Sequence, residues 1–169
     1  QLMGGALALG SSQLNAKITI QSNRLEFSDE QHGVPFDKRN RDELWNVHQS
    51  MQNFSVQAFG INFFLLVTPA HDNGSAVFIA ENYFKNTAKL AQTLSQPILS
   101  ASVRFLLGAP DHYRDLRLTP VEIGSKSFQF QYHLHQDTHI ADFDKLVQTI
   151  EESTVASWKE CQEWLIKLP

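Results

Sequence analysis

The last forty-two residues place the tightest limits on how this chain can fold. From Phe128 to Gln136 the residues read FQFQYHLHQ, and this alternation of apolar and polar side chains predicts a strand with one buried face. From about Ile140 to Leu168, apolar residues recur at spacings of three and four, which predicts an amphipathic helix. At ~1.5 Å per residue this helix would be about 40 Å long. So long a helix needs a sheet, another subunit, or both, to cover its apolar side.

The apolar side of this predicted helix is broad. Trp164 and Ile166 lie beside the main stripe and widen it, so we expect them to contact a second subunit or a partner. Asp137 or Thr138 is the expected N-cap. The cysteine of the stripe is expected to act as a small apolar side chain. The stripe contains Phe143, Val147, Ile150, Thr154, Trp158, Cys161, Leu165 and Leu168.

The order of the segments predicts an α+β fold. Short alternating runs bounded by glycine, proline or polar residues indicate strands, and runs with three- and four-residue spacing indicate helices. We therefore predict one domain over residues 1–169, with a mainly antiparallel sheet, helices packed on it and a long C-terminal amphipathic helix. The predicted strands lie near 7–9, 17–22, 24–27, 54–69, 100–110, 116–123 and 128–136, and the helices near 39–52, 75–94 and 140–168.

Three positions carry more specific expectations. The segment 54–69 is the most apolar, and we expect it to form a central strand covered on both faces. Within it, Gly60 marks a bulge or a close approach by another backbone, and Asn62, if buried, is expected to pair with backbone groups. Pro120 cannot donate to a ladder, so we expect the strand around it to be an edge strand with a bulge.

Charge and cysteine content narrow the possible partners and locations. The formal net charge is −4, which argues against a general surface for nucleic acid or anionic membranes, because both require a basic excess. Cys161 is the single cysteine, so no internal disulfide can form and a cytoplasmic location is the simpler interpretation. No run approaches the ~18 apolar residues of a membrane span. The segment LMGGALALGSS predicts a first strand, with the end of a signal peptide as the alternative, and a chain that starts at Gln1 is compatible with missing upstream residues.

The segment PDHYRD, which starts at Pro110, is the first candidate site. We interpret it as a loop between two strands, and binding and catalytic residues concentrate in loops. Asp111, His112, Arg114 and Asp115 would together present an acid–base pair or a contact for a ligand or partner. The competing interpretation is an ordinary polar loop, because no nucleophile motif accompanies these residues.

His133 and His135 form the second candidate site. Side chains two apart on a strand share a face, so the two imidazoles could chelate one metal ion. Asp137 would extend the same row, and His139 could fold back towards it. The competing interpretation is a solvated outer face, because the apolar residues of the alternation occupy the inner face.

The sequence contains none of the common motifs for cofactors, nucleophiles or phosphates. It has no G-x-G-x-x-G, G-x-x-x-x-G-K, G-x-S-x-G or H-E-x-x-H, so we expect no cofactor. The leading hypothesis is a non-enzymatic binding or interaction module that binds itself or another protein. The alternative is a small-molecule-binding or hydrolytic domain with a pocket between the sheet and the C-terminal helix. A third hypothesis is a metal-dependent enzyme that uses His133 and His135.

Overall fold

The computed structural model describes residues 7–11, 16–20, 24–29, 55–70, 74–95 and 99–168. The chain divides into two compact units, Gln1–Phe54 and Ser55–Pro169. The helix predicted over 39–52 lies outside the described residues, and the single domain over 1–169 stays a prediction.

The first unit contains a three-stranded antiparallel sheet. Strands β1 (Leu7–Ser11), β2 (Ala16–Ile20) and β3 (Leu25–Asp29) follow one another as a meander. The sequence predicted two or three antiparallel strands in a meander here, and the structure has three. An exposed ion pair joins Arg24 Nη2 to Glu26 Oε2 at 3.1 Å.

The second unit is built on a four-stranded antiparallel sheet with the strand order β4-β7-β6-β5. In chain order the strands are β4 (Val56–Val67), β5 (Val103–Ala109), β6 (His112–Pro120) and β7 (Phe128–Ile140). The described helices are α1 (Ser75–Tyr83), α2 (Thr87–Leu94) and α3 (Phe143–Ile166). The predicted α+β class, with an antiparallel sheet and a C-terminal helix, is confirmed.

The core of this unit lies on one face of the sheet, where helices pack. Phe78 of α1 stacks on Phe128, with ring centroids 6.0 Å apart. Trp158 of α3 meets Phe63 of β4 edge to face at 5.3 Å. We call this side the inner face, and the alternation in β7 places there four side chains that are at most 4% exposed: Phe128, Phe130, Tyr132 and Leu134.

Two strand placements differ from the expectations. Among the described strands β4 pairs only with β7, so it is an edge strand of this sheet rather than a central one, and its side chains Phe64 and Leu66 are 64% and 72% exposed. β6 lies between β5 and β7, so it is not an edge strand. Pro120 fits there because it is the last residue of β6, where the ladder ends.

The helices also differ in detail from the predicted ranges. The helix expected over 75–94 is two helices, because Phe84 has an extended backbone and ends α1. The N-cap of α3 is Asp142, whose Oδ1 accepts a hydrogen bond from the backbone N of Lys145 at 2.8 Å. The expected caps, Asp137 and Thr138, are wrong because β7 continues to Ile140. No helix in the described part of the chain combines the length and apolar character needed to cross a membrane.

Candidate functional site

The residues of the predicted loop site lie mostly in a strand. Only Asp111 lies in the turn between β5 and β6, and His112 to Asp115 belong to β6. Because side chains alternate along a strand, His112 and Arg114 share the inner face, whereas Asp115 belongs to the opposite face. The structure therefore does not bring the four residues together as one site. They contribute to two separate polar networks, one on each face of the sheet.

The inner network connects the sheet to helix α3. Glu160 Oε2 accepts hydrogen bonds from Arg114 Nε at 3.2 Å and from the Tyr132 hydroxyl at 3.1 Å. Arg114 Nη1 lies 2.8 Å from His112 Nε2, and since an arginine N–H can only donate, this histidine nitrogen is the acceptor. Burial raises the pKa of Tyr132. These contacts join α3 to the sheet. The polar groups of Arg114, Tyr132 and Glu160 hydrogen-bond to one another, so they are not arranged to receive a ligand.

The second network lies on the face that the described helices leave uncovered. Its centre is Asp115, which is 5% exposed and accepts hydrogen bonds from two arginines. Arg104 donates from Nε at 2.9 Å and from Nη2 at 2.8 Å, and Arg117 donates from the same two atoms at 3.3 and 2.6 Å. Hydrogen bonds from Arg117 first, and from Arg104, lower the pKa of Asp115 to about 2, although burial opposes the shift. Both arginines are thus held side by side on one ionised carboxylate.

We call this side the open face, and its middle is concave. The concavity has a volume of about 380 Å³. Its lining includes the arginine pair with Asp115, polar groups of β4 and β7, and the aromatic residues Phe64, Tyr113 and Tyr132. Asn62 of β4 and His133 of β7 supply polar groups next to the arginine pair.

His133 and His135 share the open face, as the strand pattern predicted. His133 Nδ1 lies 2.8 Å from Asn62 Oδ1, and His135 Nε2 lies 2.9 Å from Asp137 Oδ1. The Tyr113 ring stacks on His135, with centroids 4.8 Å apart, and the two imidazole centroids are 6.4 Å apart. Among the described residues, no three His, Cys, Asp or Glu side chains are grouped so that they could hold a metal ion. The two imidazoles are thus paired with Asn62 and Asp137 rather than arranged with a third metal ligand.

The residues expected at an interface lie near the end of α3. Trp164 is half-buried, and Ile166 is 82% exposed. Cys161 is fully buried on the inner face, and its burial raises the pKa of the thiol to about 12. The thiol therefore has the character expected of an apolar core side chain.

Sequence reasoning missed Arg104, Arg117, Asn62 and Phe64. The signal for the arginine pair is present in the chain, because a two-residue turn after Ala109 fixes the register of the β5–β6 hairpin. That register pairs Arg104 with Arg117, two residues along β6 from Asp115 and therefore on the same face of the sheet. The charged residues after Pro110 conceal this turn, because His112 to Asp115 have the composition of a loop although they belong to β6.

Comparisons with protein-family models, with curated proteins and with solved structures found no match to this chain.

Proposed function

We propose that this chain is a non-enzymatic interaction module that binds a partner protein across the open face. The observation that carries the proposal is the composition of this face. Large apolar side chains, Phe64, Leu66 and Leu106, are 64%, 72% and 61% exposed, and they lie on both sides of the paired arginines. Exposed apolar groups around a few ordered polar groups are typical of protein-binding surfaces.

The partner we propose is a segment of another protein that carries acidic and apolar side chains. Arg104 of β5 and Arg117 of β6 bring two positive charges to this face, and Asp115 offsets one of them. A negatively charged partner would complement the remaining charge. A second copy placed face to face would bring the same arginine pair against itself, which is unfavourable. Charge complementarity therefore favours a different protein at this face.

The alternatives receive less support from the geometry. A pocket between sheet and α3 would have to form where Phe130, Tyr132 and Cys161 are at most 1% exposed. A metal site at His133 and His135 would lack a third ligand, because no further His, Cys, Asp or Glu among the described residues is grouped with them to hold a metal ion. The open face needs no such rearrangement to receive a partner.

Selection from a random-peptide display library tests the proposal. We expect enriched peptides that combine acidic and apolar residues, and we expect Phe64→Ser to weaken their binding by about tenfold or more. Val155→Ser is the matched control, because Val155 is an exposed apolar residue on α3, away from the open face. Circular dichroism should show that both variants are folded, since both positions are exposed. Failure to enrich any peptide, or equal binding by the Phe64→Ser protein, would contradict the proposal.

A further inference from the structure

We infer that Arg104 and Arg117 form a receptor for a single side-chain carboxylate of the partner, an inference that rests on the proposed function and gives it a specific chemistry. The two guanidinium groups present their hydrogen-bonding edges differently to Asp115 and to solvent. Each group turns its Nε–Nη2 edge towards Asp115.

The other edge of each guanidinium remains available for a ligand. Arginine has five N–H donors in a fixed planar fork, and the contacts with Asp115 use one on Nε and one on Nη2. Both N–H groups of Nη1 therefore remain on Arg104 and on Arg117, and the structure gives them no partner among the described residues. The two side chains are 59% and 46% exposed, so these donors are accessible.

Asp115 also positions the two groups close together. Nη2 of Arg104 and Nη2 of Arg117 both lie within hydrogen-bonding distance of the same oxygen, Asp115 Oδ2. The buried carboxylate therefore orders two flexible side chains before a ligand arrives, which lowers the entropic cost of binding. Guanidinium groups prepared in this way suit an anion with two oxygens, because such an anion can accept hydrogen bonds from both.

The charge of the site favours a carboxylate over a phosphate. One positive charge remains after Asp115 has offset one arginine, and it matches the single negative charge of an Asp or Glu side chain. A phosphorylated side chain would bring a charge of about −1.5 to −2 at neutral pH, which exceeds the remaining positive charge of the pair. The neighbouring Phe64 and Tyr113 rings would contact the carbon atoms of the same partner residue.

The experiment compares three versions of one selected peptide, with Glu, Gln or phosphoserine at its acidic position. With the unmodified protein, we expect the Gln version to bind at least about tenfold more weakly than the Glu version. With Arg104→Gln, which leaves the Arg117–Asp115 pair in place, we expect the Glu and Gln versions to bind within about twofold of each other. Arg24→Gln is the matched control, because Arg24 is also an exposed arginine paired with a carboxylate, and it should leave the difference intact. Should Arg104→Gln prove unfolded, Arg104→Lys keeps the charge and should still lose most of the difference, because an ammonium group lacks the planar fork.

The outcomes separate this inference from the proposed function. A Glu-to-Gln difference that is unchanged in Arg104→Gln and Arg104→Lys would overturn the carboxylate receptor, while peptide binding itself would still support the interaction module. Tighter binding of the phosphoserine version than of the Glu version would also overturn it. If no peptide is selected, titration with sodium acetate, followed by the Nε–H NMR signals of Arg104 and Arg117, tests the arginine pair alone. Absence of acetate-dependent shifts relative to sodium chloride would then overturn the inference.

Discussion

The imidazole of His133 lies against the backbone of Gly60 on the neighbouring strand. A Cβ atom placed on Gly60 would come within 2.9 Å of His133 Cε1 and 3.3 Å of the Leu134 carbonyl oxygen. The same imidazole also contacts Asn62, whose Oδ1 lies 2.8 Å from Nδ1. Glycine at position 60 therefore provides the space in which the His133 ring lies, which is the close approach that the sequence indicated.

We expect Gly60→Ala to destabilise the protein by about 1–2 kcal/mol, because the added methyl group would displace the His133 ring from Asn62. His133→Ser alone should lower the free energy of unfolding by no more than ~0.5 kcal/mol, as for a partly exposed residue. In the His133→Ser background, Gly60→Ala should cost less than half as much as it does alone, because the ring is no longer there. Urea unfolding of the four proteins measures this coupling. Equal costs in both backgrounds would show that the Leu134 carbonyl, rather than the ring, limits the space.

The stability of the second unit should depend on pH through Asp115. Its folded pKa, about 2, is below the ordinary 3.8, so the ionised form is favoured in the folded state. The resulting stabilisation is fully present above about pH 4 and is lost as the pH falls towards 2. We expect a contribution of about 1–2 kcal/mol, allowing for the exposure of the two arginines to solvent. Urea unfolding at pH 5, 3 and 2 should show a smaller loss for Asp115→Asn than for the unmodified protein, and parallel losses would exclude Asp115 as the cause.

Trp158 should be the most sensitive position of helix α3. Its ring meets Phe63 edge to face at 5.3 Å, and so joins the helix to the edge strand β4. We expect Trp158→Ala to lower the free energy of unfolding by about 3 kcal/mol. This value is at the lower end of the range for truncating a large aromatic side chain, because Trp158 is only half-buried. Val155→Ala, one turn earlier on an exposed position, should cost less than about 0.5 kcal/mol. Similar unfolding midpoints for the two variants would show that the predicted stripe does not stabilise the fold.

Cys161 should be unreactive until the protein unfolds. Burial raises the pKa of its thiol to about 12, so at pH 8 only about one molecule in ten thousand carries the reactive thiolate. We expect labelling by a disulfide reagent to be slow in buffer and rapid in concentrated urea. Labelling in buffer as fast as that of a free thiol compound would mean that α3 opens readily from the sheet.

The exposed end of α3 should support self-association, on a surface distinct from the open face. Ile166 is 82% exposed, and closed two-fold dimers are the commonest soluble assemblies. We expect light scattering at micromolar concentration to report a dimer, and Ile166→Glu to convert it to a monomer. A monomeric mass for the unmodified protein would contradict this hypothesis.

The sequence predicted the fold most accurately where a pattern is local. The alternation from Phe128 and the spacing of α3 depend on neighbouring residues, and both elements are confirmed. The predicted positions of β4 and β6 in the sheet were wrong, because the strands that pair with them are distant in sequence. Because Phe64 and Leu66 are apolar, the sequence of β4 indicates burial on both faces. Both side chains are exposed in the structure, so one face of β4 is uncovered.

The candidate site was less predictable for the same reason. Asp115 was identified, but its partners Arg104 and Arg117 lie on two strands and meet it only when the hairpin register is known. His133 and His135 were correctly placed on one face, because they belong to one strand. Their partners could not be inferred, since Asn62 comes from a strand seventy-one residues away from His133.

The alternation of charge along β6 also has a consequence for how this strand finds its position during folding. A shift of one residue in its pairing would exchange the two faces of the strand. Asp115 would then face Glu160 beneath the helix, and Arg114 would join Arg104, so like charges would meet on both sides of the sheet. The correct pairing instead places an acidic group among basic ones on each side. The two networks therefore penalise a misaligned strand, in addition to stabilising the aligned one.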